Sequence, residues 1–190
     1  MSDLDQPLLE DVLSRIATNV SMLVDREIGV QDVRTDRAHS RPAGEGQVHV
    51  SFRFRFSGDA AGDRPDREGC LLLPLPEAIS LAGYLMMMSE DEVAAHRSDD
   101  TLDASTKDAM MELGNFIAAA VDESVKAAFG GVSVHAAGCQ GVRADVRPAI
   151  AYTEGSELLI GRARARVHEW PEFELLAMFP VLDSVGEQHA

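Results

Sequence analysis

Residues 105–137, STKDAMMELGNFIAAAVDESVKAAFGGVSVHAA, decide how the rest of the chain is read. From about Thr106 to Phe129, apolar residues recur at spacings of three and four, the period of a helix with one buried stripe. Ser105 followed by Asp108 matches a helix-start signature. Gly130-Gly131 suits a left-handed helix stop. From Val132 to Ala137 the apolar period falls to two, which marks a strand. A long helix therefore runs straight into a sheet.

Similar patterns lie on both sides. Val48, Val50, Phe52, Phe54 and Phe56 alternate with His49, Ser51, Arg53 and Arg55, so one face of a strand is buried. Cys70–Leu73 reads as a short strand ended by Pro74 and Pro76, and Pro76 opens a helix through Met88. Ser89 with Glu92 has capping-box spacing and restarts a short helix. Near the N-terminus, Pro7 suits a first helical turn. Leu9, Val12, Leu13, Ile16, Val20, Leu23 and Val24 form its stripe, with Gly29 as the stop. Residues 36–46 and 57–67 read as loops. Val146–Tyr152, Leu158–Val167 and Phe173–Leu182 read as strands, with turns at Glu154-Gly155 and Glu169–Pro171. The order is helix, two or three strands, helix, long helix, four strands. This is an α+β fold: a single domain over residues 1–183, a largely antiparallel sheet with long helices packed on one face, and a frayed tail at 184–190.

Charge narrows the function. Seventeen Lys and Arg stand against 32 Asp and Glu in 190 residues, a formal net charge of -15. Phosphate neutralisation needs a positive surface, so nucleic acid and anionic membrane are poor partners. Hydrophobic residues make up 45% of the chain, enough for a core. The acidic N-terminus lacks the basic and apolar regions of a secretory signal, and no apolar run is long enough to span a bilayer. Cys70 and Cys139 lack metal-ligand spacing and read as small buried hydrophobes in a reducing compartment. A soluble cytoplasmic protein is expected.

Helical geometry sorts the long helix. Ala109, Leu113, Phe116, Ile117, Ala120 and Val121 share the core side, with Met110 and Ala128 at its edge. Asp108, Glu112 and Asn115 lie opposite, within about 60° of one another. Gly114, Ala118 and Ala119 are small, so the acid and the amide would project from low relief. Such a surface suits another macromolecule better than a small molecule, which needs enclosure. A merely solvated helix face, with Asp108 as a capping residue, is the plain alternative.

Asp108-x-x-x-Glu112-x-x-Asn115 resembles the D/S-x3-E-x2-N signature of the CheC/CheX/FliY chemotaxis phosphatases, and the helix–strand order from about residue 47 to 182 agrees. The resemblance, nearest to CheX-like members, implies a phosphatase acting on the phospho-aspartate of a CheY-like receiver. Asn115 would orient the attacking water and Glu112 would engage a receiver lysine, these two being the catalytic residues. Asp108, Gly114, Ala118 and Ala119 would form the partner-binding surface. The resemblance implies no cofactor or metal ligand of the chain's own, since Mg²⁺ is expected on the receiver; a homodimer is a weaker implication. A non-catalytic module of this fold, docking a response regulator or flagellar switch component, is the alternative. Asp11–Thr18 can be laid on Asp108–Asn115, with Arg15 at the Glu position and Thr18 at the Asn position, which hints at duplication with one working copy. Two other features have bland readings: Arg162, Arg164, Arg166, Arg53 and Arg55 as exposed strand residues pairing with acids, and Met86–Met88 as adaptable core.

Overall fold

The computed structural model describes residues 4–58 and 67–182. Helix α1 (Asp5–Val24) leads into β1 (Ile28–Ala38), β2 (His49–Gly58) and β3 (Glu68–Pro74). Helices α2 (Leu75–Leu85), α3 (Glu90–His96) and α4 (Ala104–Phe129) follow, then β4 (Val132–Val142), β5 (Leu158–Val167) and β6 (Phe173–Pro180). The strands form one six-stranded sheet in the order β1-β5-β6-β3-β2-β4, with every pairing antiparallel. The α+β class, the antiparallel sheet and the helical layer agree with the sequence. The tail at 184–190 and most of the 57–67 loop lie outside the described residues.

The arrangement has an internal twofold character. Helix–strand–strand–strand occurs twice, as α1-β1-β2-β3 and α4-β4-β5-β6. Exchanging the two sets turns the strand order into its own reverse. Laying Asp11–Thr18 on Asp108–Asn115 matches buried Val12, Leu13, Ile16 and Ala17 with buried Ala109, Met110, Leu113 and Gly114. Each edge strand carries an irregularity near a positive-φ residue, Asp32 (φ 54°) in β1 and Gly138 (φ 95°) in β4.

Five sequence assignments change. The first helix stops at Asp25, in the left-handed region (φ 51°, ψ 43°), and its N–H donates to the Ser21 carbonyl. Gly29 instead lies in β1, a strand the sequence reading missed, and residues 36–38 of the expected loop belong to it as well. The cause is the bulge: Ile28 and Val30 share parity but Val33 does not, so the alternation slips. The long helix is capped by Asp103, whose carboxylate accepts the Thr106 N–H at 2.7 Å, and not by Ser105 with Asp108. Val146–Tyr152 forms no strand, and Phe116 leaves the core side of α4 for solvent.

The misread 146–152 segment has a structural role. The sheet's helix-facing side buries Phe52, Phe54, Leu71, Leu73 and Phe179, among others, beneath α1, α2 and α4. Cys70, Leu72, Leu158, Ile160, Leu176 and Met178 point the other way, as alternation requires, and Ile150 is buried among them. Glu68 holds this covering segment at both ends of one residue: its N–H donates to the Ala151 carbonyl and its carboxylate accepts the Ala151 N–H, each at 3.0 Å. Apolar alternation in 146–152 thus reflects burial on one side without strand pairing. Burial here pushes the Cys70 thiol up to about 12.

The short helices are tied in by a polar network. The capping box at Ser89 and Glu92 is present. Arg97 makes two hydrogen bonds to the buried carboxylate of Glu77, at 2.6 and 2.9 Å, and its guanidinium lies 4.2 Å above the Trp170 ring. Trp170 donates to the Tyr84 hydroxyl at 2.9 Å, and Tyr84 donates to Glu90 at 2.7 Å. Met86 and Met88 pack against the core, whereas Met87 is 92% exposed, so the methionine run is only partly core. Truncation of Arg97 strands a buried charge, so Arg97→Ala should lower unfolding free energy by about 3 kcal/mol in urea titrations.

Candidate functional site

Helix α4 is positioned by what lies beneath it. Buried Gly114 sits over Phe52 of β2, and a Cβ there would come within 3.3 Å of the ring. Leu113, Ile117, Ala120 and Val121 continue the contact with the sheet and with α1 and α2. At its C-terminal half, Asp122 reaches the next strand: its Oδ1 accepts the Val134 N–H at 2.7 Å while Oδ2 accepts from Lys126 at 2.7 Å. On the α1 side, Arg15 donates to Ser124 at 3.1 Å and pairs with Glu123. These anchors fix the rotation of α4 about its own axis, and so fix which side chains face outward.

Asp108, Glu112, Asn115 and Ala119 are all exposed. Glu112 and Asn115, three apart, are neighbours on the helix surface, with Cβ atoms about 5–6 Å apart. Neither makes a side-chain hydrogen bond or ion pair among the described residues. Gly114 and Ala118, expected on the partner-facing surface, are instead buried, on the side of the helix that Met110 and Val121 share. The low relief beside Asn115 therefore comes from Ala119 alone. In place of the two small residues the outward face carries Met111, 45% exposed, and Phe116, 38% exposed. Sequence reasoning missed both, having given Phe116 to the core; the one available signal was that Leu113 and Ile117 already complete that stripe.

The face is open and convex, so it cannot enclose a small molecule. It presents a carboxylate and an amide that can bind or orient groups brought by another molecule. Its surroundings are acidic: Glu90, Asp91, Glu92, Asp99, Asp100 and Asp103, all exposed, lie on α3 or on the segment leading into α4. Lys107, exposed in the first turn of α4, is a basic residue in this stretch, and the arginines of the sheet sit elsewhere. Arg162 and Arg164 pair with Glu174, Asp32 and Glu172, while Arg53 and Arg55 approach Glu68, which matches the bland reading for these four. Among the described residues no cluster of His, Cys, Asp and Glu has the form of a metal site, and no helix is long and apolar enough to cross a membrane.

No family model and no curated protein matches the sequence. Solved structures do match over nearly the full chain. FliY from Thermotoga maritima gives a TM-score of 0.66 at 13% identity, covering 95% of this chain and 92% of that chain. The FliG-FliM complex from H. pylori gives 0.64 at 11% identity, with 96% of each chain covered. The chemotaxis protein CheX from Desulfovibrio desulfuricans gives 0.56 at 14% identity, covering 93% of this chain and 99% of that chain. At such identities the likeness concerns the fold alone: the chain has the fold shared by CheX, FliY and the FliM middle domain, as its helix signature implied.

The Asp122 anchor is open to direct test. Burial raises this carboxyl's pKa, but the Lys126 ammonium and the Val134 N–H outweigh it and hold the group below its ordinary range. A lowered folded pKa stabilises the fold above the unfolded value, and that stability is lost as pH falls through the folded value. Asp122→Ala should therefore cost about 1.5 kcal/mol at neutral pH. The gap to wild type should close on acidification, as read by denaturant titration across pH.

Proposed function

We propose that the chain is a phosphatase for the phospho-aspartate of a receiver domain of the CheY type. The observation that carries this reading is the pair Glu112 and Asn115, side by side, exposed and unpartnered on the outward face of a helix locked to the sheet. A receiver brings its own aspartyl phosphate, lysine and Mg²⁺. Docked on α4, Asn115 holds a water in line with the phosphorus, and Glu112 binds the receiver's lysine through a charge-assisted contact. The water oxygen bonds to phosphorus, the bond from phosphorus to the aspartyl oxygen breaks, and inorganic phosphate leaves a free carboxylate. The Mg²⁺ supplies charge stabilisation from the receiver's side, which is why this chain needs no ligands for it. Positioning is most of what such a transfer requires of a protein.

A second reading is docking without catalysis. It is favoured by the likeness to FliM, which is solved in complex with FliG and with SpeE. An intact Glu112–Asn115 pair favours the enzyme.

Phosphate release from a panel of receivers separates the two readings. The wild type should accelerate loss of phosphate from at least one receiver. Asn115→Ala should cut turnover about 100-fold while the complex still forms, because only the water's position is lost. Glu112→Ala should weaken both binding and turnover. No acceleration across the source organism's receivers would leave the docking module as the answer. Steering by the acidic approach gives a further expectation: association with the cognate receiver should slow as salt rises from 50 to 500 mM, in stopped-flow measurements, by about tenfold.

A further inference from the structure

Across the outward face of α4 the side chains follow a definite order. By the helical repeat, Met111 lies about 40° to one side of Asn115, and Phe116 about 40° to the far side of Glu112. The polar pair thus stands between two apolar side chains. Phe116 is the only exposed Phe, Tyr or Trp among the described residues. Met111 is supported from below by β4, its sulfur 3.5 Å from that of Cys139.

The fold supplies its own control. On the overlay that matches the buried positions of α1 and α4, Met111 corresponds to Ser14 and Phe116 to Asn19. Thus the helix that lacks the acid and the amide, with Arg15 and Thr18 in their places, is polar at both flanking positions. Its Arg15 is also occupied, bound to Asp11, Glu123 and Ser124. Packing alone therefore does not demand large apolar groups at these places. They occur only beside the intact pair.

We infer that Met111 and Phe116 are docking anchors that clasp the receiver on either side of its phosphorylation site. This rests on the receiver reading above and adds which residues give affinity. The occupant is a receiver whose lysine lies between two apolar patches. Glu112 and its acidic surroundings match the cation, and the two anchors match the patches. Seated apolar groups also exclude water around the pair, which strengthens its charged contacts.

The test measures binding and turnover separately. Beryllofluoride-loaded receivers from the source organism serve for binding, and receivers phosphorylated with acetyl phosphate serve for phosphate release. Phe116→Asn and Met111→Ser, the residues that α1 carries, should each raise Kd and KM about tenfold, the equivalent of about 1.4 kcal/mol. The value of kcat should stay within about twofold of wild type, as expected for binding energy used equally in ground and transition states. Met22→Ala, on the exposed side of α1, should change nothing. Thermal melts should stay close to wild type, since both side chains are exposed and Met111 gives up only its contact with Cys139.

Turnover with KM unchanged in both variants overturns the anchors and leaves the phosphatase reading standing. Binding that depends on the anchors without any phosphate release upholds the anchors and overturns the phosphatase reading. Binding of no receiver overturns both. A wild type that sediments as a dimer and becomes monomeric in Phe116→Asn assigns the face to a second copy of this chain and overturns the inference.

Discussion

The contact of Gly114 with the Phe52 ring governs the rest of the molecule. A glycine in mid-helix costs roughly 1 kcal/mol relative to alanine, and here its place is filled by an aromatic ring of the sheet. With the backbone drawn down at this point, Leu113 and Ile117 seat on the core and the adjacent Asn115 must face out. Glu112 follows on the same side. Asp122 then ties the far half of the helix to β4 through Val134. The candidate site is therefore built by a rigid element whose rotation is set from below, which is how a convex surface can offer defined geometry without a pocket.

The two halves of the fold show what such a helix does when it carries no site. In α1 the glycine position is Ala17 and the polar positions are Arg15 and Thr18. Leu9 of the same helix approaches Gly161 of β5 closely enough that a Cβ there would meet its methyl at 2.9 Å. Close approach is thus kept in both halves but arranged differently. The Arg15 side chain, at the position of Glu112, bridges α1 to α4. One repeat braces the other, and only α4 keeps an unpaired acid and amide on its outward face.

The same economy appears on the reverse of the sheet. Arginines that looked like a basic stripe are matched by acids from β1, β3, β6 and the turn before β6. The acidic excess stays concentrated near the start of α4, where Glu90 pairs with Arg26 and His168 and Asp99 with His96, while Asp91, Glu92, Asp100 and Asp103 make no ion pair among the described residues. Net charge by itself argued only for what the surface avoids; its location argues for what it meets.

The sequence by itself determined the helices, the antiparallel α+β class, the capping box at Ser89 and the exposure of Glu112 and Asn115. Each of these depends on short-range periodicity or on local hydrogen bonding, which neighbouring residues encode. Tertiary structure alone decided the first edge strand, whose bulge at Asp32 hides its alternation, and the fate of 146–152, whose one-sided burial imitates a strand without pairing. It also decided that Gly114 and Ala118 turn inward and Phe116 outward. On a helix buried across a wide arc, a difference of about 40° separates core from solvent, and only the neighbouring sheet and helices can say where that boundary falls.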